Sequence, residues 1–450
     1  MATTYLERTQ TAGSQTTWTL SYWVKFSGIS GNNDMCLWTT GTDATSNCSK
    51  IEMSGSGTDG AFQFQDTGTR FQKTTNRLFR DTSGWYNFVI AVDTTLVAAD
   101  DRIKIYVNGV QETSFLNSTN PAQDLAMYGV NSSGDPVMIG RGGDFGSSVF
   151  KYFDGLMTHI QFVDGAQLAP TEFGQVDATS GIWKIKTACY ATPGTNGFCL
   201  KMETTTGSAM GTDSSGEGNN FTEGGSPTQA IDNPSSMVAT LNPLQVYGSP
   251  FTFSNGNTKI TRSGSWRGVM GTLGITKGKW YYEMKKGTGN MALGMAKFGS
   301  AVDDSVYLST STAWLGDKAG AWIFYNNHSG AVKYGDGSGG SSYGSAPSDG
   351  DILMCAFDAD NGTIWIGNGG TWFGSATQGE IEAGTITNAM YSGITMDDPF
   401  SPICSSENGN LEFNFGNGYF ATTQVASAGT STSGDDSIWE FDCPDGYYGL

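Results

Sequence analysis

Hydrophobic and polar positions alternate most regularly over residues 84–111, GWYNFVIAVDTTLVAADDRIKIYVNGVQ. Tyr86, Phe88, Ile90 and Val92 fall on one face of a first run, and Ile103, Ile105 and Val107 on one face of a second. The pattern predicts two half-buried antiparallel strands. Asn108-Gly109 suits the positive φ angles of a tight hairpin turn, so Val110 is predicted to begin a return strand. The same period of two runs through WTLSYWVKF (18–26), where Trp18, Leu20, Tyr22, Val24 and Phe26 alternate with Thr19, Ser21, Trp23 and Lys25. It returns in YFDGLMTHIQFVDG (152–165) at Leu156, Thr158, Ile160 and Phe162. Shorter runs lie at 37–38, 61–65, 71 and 136–141, and in LAPTEFG (168–174) Thr171 beside Pro170 can cap one helical turn.

Over residues 187–244 the strand signals thin and Gly, Ser, Thr and Asn dominate, most plainly in GTDSSGEGNNFTEGGSP. This reads as a connector. Strand patterns resume at 251–256 and in GKWYYEMK, where Trp280, Tyr282 and Met284 share a face opposite Tyr281, Glu283 and Lys285. Further runs follow at 291–298, 321–326, 350–358, 362–367 and 411–416. The predicted fold is all-β, with two antiparallel β-sandwich (jelly-roll) domains joined by an irregular connector. The boundaries are 1–178, 179–245 and 246–450, the last including a carboxy-terminal tail.

Composition agrees with many short strands and turns. The chain has 450 residues, room for two or three cores, with 63 glycines and only 15% charged residues. Its net charge of -19, from 24 basic and 43 acidic residues, opposes nucleic acid and anionic membrane as partners. The amino terminus MATTYLERTQ lacks a basic region followed by an apolar core, and no apolar run reaches transmembrane length, so neither standard secretion nor membrane insertion is expected. Seven cysteines, an odd number with no CxxC pair, read as free thiols in a protein made in cytoplasm. Cys36 with Cys48 and Cys189 with Cys199 are close enough in sequence to be bridged, and that alternative stays open.

Candidate chemistry is sparse. Two histidines, His159 and His328, leave little room for a His-dependent hydrolase or His-ligated metal, and His159 lies within a predicted strand. No GxSxG, HExxH, phosphate loop or dinucleotide fingerprint has supporting context. Glu440 and Asp442 would share one strand face, the nearest approach to a glycosidase pair, but they sit in the tail and Pro444 interrupts the run. Asp358 and Asp360 offer oxygens for Ca²⁺, with a hairpin turn as the alternative, and no other cofactor is implied. Trp314, Trp322 and Trp372 lie in or near loops, where an exposed indole could stack on a sugar; most tryptophans of sandwiches are core. The tail IWEFDCPDGYYGL is dense in apolar and aromatic groups. It predicts burial, against its own domain or in a neighbouring subunit, which makes Trp439, Phe441, Tyr447 and Tyr448 interface candidates.

The ordered set WTLSYWVKF, GWYNFVIAVD, RIKIYVNGVQ, PVMIGR and FDGLMTHIQFVDGAQLAPTEF resembles the laminin-G or concanavalin A-like lectin family over about residues 1–178. That resemblance implies a jelly-roll sandwich, many members of which bind sugars or proteins at one rim. GKWYYEMK, LGMA, GDILMCAFDADNGTIWIGNGG and LEFNFG resemble the SPRY family over about residues 246–425, which implies a bent sandwich used for binding. NGFCLK, DSSG and ATLNP in the connector are similar to a connector in structural proteins of tailed bacteriophages. Together these resemblances imply a non-enzymatic virion protein, a fibre or capsid decoration made in the host cytoplasm. Its expected partners are other virion proteins, host surface carbohydrate and further copies of itself, most simply in a trimer. The alternative they leave is a polysaccharide-degrading enzyme of the concanavalin A-like group.

Overall fold

A computed structural model describes every residue except 1–3, 29–33, 42–46, 55–59, 144–149, 179–180, 204–209, 231, 236, 246–250, 299–318, 328–329, 427–428 and 430–436. Strand makes up 46% and helix 6%, so the chain is all-β, as the alternation predicts. It divides into two compact units, 1–229 with 233–235, and 230–232 with 236–450.

In the first unit one sheet runs, edge to edge, Phe115–Thr119, Gln72–Leu78, Ala61–Asp66, Ser49–Ser54, Met35–Thr40, Pro136–Ile139, Tyr5–Thr9 and Thr222–Gly224. The other runs Phe198–Leu200, Gly155–Asp164, Thr17–Phe26, Tyr86–Asp93, Ile103–Val107 and Val110–Gln111. Residues of the alternating faces fill the space between them. Trp18 stacks on Phe162 with ring centroids 5.7 Å apart, and Phe62 stacks on Phe88 at 4.8 Å. Asn108 (φ 49°) and Gly109 (φ 79°) make the expected turn, and Val110 pairs back with Val107.

The opposite face of Thr17–Phe26 departs from the simple alternation. Trp23 is 3% exposed, packed with Trp85 and Ile185, because the Gly174–Val176 and Trp183–Ile185 hairpin brings residues against that side of the sheet. Trp183 reaches across to donate from Nε1 to Asn87 Oδ1 at 3.0 Å.

Three expectations change. Most of the stretch read as a connector is folded into the first unit: Phe198–Leu200 extends one sheet and Thr222–Gly224 closes the other. Three-residue strands are too short to alternate visibly, and polar side chains carry what ladders do elsewhere. Asn196 Oδ1 accepts from Thr11 N at 2.9 Å, Asp213 Oδ1 from Cys199 N at 2.8 Å, and Asn219 Nδ2 donates to Gly197 O at 2.7 Å. The thiol reading is also corrected at one pair. Cys189 and Cys199 are bridged across 5.9 Å between Cα atoms, whereas Cys36, Cys48, Cys355, Cys404 and Cys443 are not disulfide-bonded and are buried. The helical turn at Pro170–Glu172 forms, but Ala169 precedes it and no side chain caps it.

In the second unit one sheet runs Thr252–Ser254, Lys259–Thr261, Asn410–Asn414, Lys279–Lys286, Ile352–Asp358, Thr363–Asn368 and Thr371–Trp372, with Tyr448–Gly449 added parallel to Lys279–Lys286. The other runs Arg267–Met270, Phe400–Glu407, Asn290–Lys297, Ala321–Asn327, Gly330–Gly335 and Ser341–Ser342. Tyr282, Met284, Leu293, Phe324, Phe357 and Phe413 are among the residues of the core between them. A smaller buried group containing Tyr281, Trp365 and Trp439 lies on the outer side of the first of these sheets.

Candidate functional site

The first unit's eight-stranded sheet carries a polar cluster on its outer face. Ile51, Met53, Phe62 and Phe64 point into the core, so the alternation sends Lys50, Glu52, Gln63 and Gln65 to the other side. Cross-strand register then places Lys50 opposite Gln65 and Glu52 opposite Gln63. Glu52 is the centre. Its Oε2 pairs with Lys50 Nζ at 2.8 Å, and its Oε1 accepts from Gln63 Nε2 at 3.0 Å and from Gln65 Nε2 at 2.9 Å. Gln63 Oε1 in turn accepts from Thr74 Oγ1 at 3.1 Å and from Gln72 Nε2 at 3.3 Å.

Burial grades across this face. Lys50 and Glu52 are 2% and 3% exposed, Gln63 and Gln72 are half-buried, and Asn117 and Thr119, opposite Thr74 and Gln72 on the edge strand, are exposed. On the other flank the Arg141–Gly143 strand crosses close. A Cβ on Gly142 would lie 2.2 Å from Thr39 Oγ1 and 2.3 Å from Cys36 Sγ, so this approach requires glycine. Burial pushes the Cys36 thiol up to about 12, against a lowering hydrogen bond from Thr39. The buried end is therefore a satisfied ion pair, and the open end offers amides and hydroxyls. Such a rim can donate to and accept from hydroxyl groups in several directions.

The residues singled out from sequence fall elsewhere. Trp314 and His328 lie outside the described residues. Trp322 faces the second unit's core, 5.5 Å from the Phe400 ring, and Trp372 is buried with Nε1 donating to Gln378 Oε1 at 2.9 Å, so neither is an exposed stacking platform. Asp358 Oδ1 accepts from the backbone of Asp360 and Asn361 at 3.0 and 3.1 Å, and its Oδ2 from Asn361 Nδ2 at 2.8 Å. Asp360 Oδ1 takes Gly278 N at 3.0 Å. Asp358 builds the turn and Asp360 ties it to the loop at Gly278, and no group of three or more His, Cys, Asp or Glu side chains placed to hold a metal occurs among the described residues. His159 sits at a register shift with φ 45°; burial lowers its pKa, and Nδ1 lies 3.1 Å from Thr158 Oγ1.

In the tail, Trp439 and Tyr447 are fully buried within the second unit, Phe441 is half-buried and Tyr448 is exposed. Trp439 meets Tyr281 edge-on at 4.8 Å. Glu440 Oε2 accepts from Ala426 N at 2.7 Å, while Asp442 is exposed. Sequence reasoning missed Glu52 and its amides. The signal was present in SKIEMS and AFQFQD, where Lys, Glu and two Gln alternate with core residues.

Residues 2–171 match the family described as the concanavalin A-like lectin/glucanases superfamily. Solved structures similar to the chain include the TRIM65 PSpry domain, 14% identical, covering 39% of this chain and 91% of that one with a TM-score of 0.28. The SPRY domain of human HERC1 is 15% identical, covering 38% and 96% with a TM-score of 0.28. The heptameric SAP-like pentraxin from Limulus polyphemus is 16% identical, covering 37% and 71% with a TM-score of 0.26. No curated protein matches the chain. Over residues 2–171 the first unit is thus similar to the laminin-G/concanavalin A-like lectin fold.

Proposed function

We propose that this protein is a non-enzymatic structural and binding component of a tailed-phage particle, a fibre or capsid decoration, that holds neutral glycan on the host surface through its lectin-like unit. The family description covers both sugar binders and sugar-cleaving enzymes, and the state of Glu52 favours binding. Hydrolysis of a glycosidic bond needs two carboxyl groups roughly 5–10 Å apart, one able to give a proton. Glu52 has Lys50 on one oxygen and two glutamine amides on the other, so the carboxylate at the centre of this face is already committed. The open rim of Gln63, Gln72, Asn117 and Thr119 is uncharged, and a chain of net charge -19 repels acidic polymers, so neutral sugar is the better fit.

The particle assignment draws on the resemblance of NGFCLK, DSSG and ATLNP to phage connectors, and assembly into a homo-oligomer, a trimer in the simplest case, goes with it. Immunogold microscopy of purified particles with antibody against this chain tests the assignment. Regular labelling of fibres or capsid is expected, and particles that lack the chain altogether would overturn it.

A further inference from the structure

The carboxy-terminal residues 437–450 lie across the second unit as a strap, and one buried carboxyl is bonded to two of the strap's backbone amides. Glu283 is fully buried on the outer face of Lys279–Lys286. Its Oε2 accepts from Glu440 N at 2.9 Å and Asn414 Nδ2 at 3.0 Å, and its Oε1 from Phe441 N at 2.9 Å and Tyr281 Oη at 3.1 Å. Two of these four donors belong to the strap. Asn414 Nδ2 reinforces the dock by also donating to Ile438 O at 2.9 Å. Trp439 and Tyr447 are the apolar anchors, and Trp280–Tyr448 and Tyr281–Gly449 pair as strand.

Among the described residues no cation bonds this carboxyl. On its own strand face Lys285 stands one step along, half-buried and opposite Glu412, which is itself paired with Lys259 at 2.7 Å. The neighbouring strands present Met354, Ala356 and Trp365, and the strap brings Glu440, Asp442 and Cys443. Four neutral donors are thus set against complete loss of water, and removing the strap would return the water. We propose that docking of the strap is coupled to protonation of Glu283, so that acid tightens it and rising pH loosens it, uncovering Tyr281 and Trp365. In the acid form Oε1 can donate its proton to Tyr281 Oη, the one bonded neighbour able to turn from donor to acceptor.

Burial outweighs the four hydrogen bonds and pushes this carboxyl from its ordinary 4.5 up to about 7. Because the docked value is the higher one, the protonation-linked contribution is fully present below the undocked value and is lost as pH rises through the docked value. Between pH 5 and pH 8 the docking constant then falls about 70-fold.

Amide hydrogen exchange on the full chain tests this. Protection factors of Glu440 and Phe441, corrected for intrinsic rate, are expected to drop by tens-fold from pH 5 to pH 8 while those of Asn290–Lys297 hold, and Glu283→Gln is expected to abolish the dependence. Equal strap protection at both pH values, or a dependence that survives in Glu283→Gln, overturns the proposal. If the glutamine variant does not fold, Tyr281→Phe keeps the carboxyl and removes one of the hydrogen bonds that lower its pKa. Loosening then moves to higher pH, and an unmoved profile counts against the coupling.

Discussion

Cutting the Cys189–Cys199 bridge isolates one energetic contribution in the first unit. Cys199 is 1% exposed, in a three-residue strand that pairs with Ile160, Gln161 and Phe162. Cys189 is half-buried, so Cys189→Ser removes the cross-link while Cys199 keeps its place. The bridge closes a loop with a sequence separation of 10. Restricting such a loop in the unfolded chain is worth about 3 kcal/mol at 25 °C. For a unit of this size that corresponds to a Tm lower by about 6–12 °C. Calorimetry of the wild type with and without dithiothreitol, beside Cys189→Ser, measures it, and the reduced wild type is expected to melt with the variant. Coincident transitions of bridged protein and variant would refute the loop-entropy argument. Seven reactive thiols in the unreduced, denatured wild type would refute the bridge itself.

Trp439→Ala removes a fully buried indole whose Nε1 has no hydrogen-bond partner, so the loss is packing alone and is expected to cost the second unit about 3–5 kcal/mol in urea unfolding. Gly109→Val forces a β-branched residue to φ 79° and its Cβ to 2.5 Å from the Trp183 ring. The strain is expected to cost about 1–3 kcal/mol, read as a lower melting temperature with red-shifted tryptophan emission as Trp183 is displaced.

Legibility followed the length and one-sidedness of the elements. Residues 18–26 and 86–93 are long enough for the period of two to emerge, and Asn108-Gly109 names its own turn, so the first sandwich could be read from them. Trp23 was assigned to the polar side because alternation cannot show that a second layer covers that side. Phe198–Leu200 and Thr222–Gly224 were hidden in a Gly- and Ser-rich stretch because Asn196, Asn219 and Asp213 make their hydrogen bonds through side chains, which leave no periodic trace. The aromatic tail announced its burial, but not its anchor: Glu283 lies 157 residues from Glu440. Glu52 showed only as one of several polar positions alternating with core residues. Only the register that sets Lys50 and Glu52 opposite Gln65 and Gln63 turns four ordinary strand residues into one cluster.

The central claim, sugar binding without cleavage at the Glu52 face, is tested most directly by titration calorimetry against a panel of neutral and acidic polysaccharides, with reducing ends assayed in the same samples. The wild type is expected to bind a neutral polymer and release no reducing ends. Gln63→Ala and Asn117→Ala should each weaken binding about 10-fold, the worth of roughly one hydrogen bond. Binding that is unaffected by both substitutions, the absence of binding to any neutral polymer, or the appearance of reducing ends that vanish in Glu52→Gln would contradict the account.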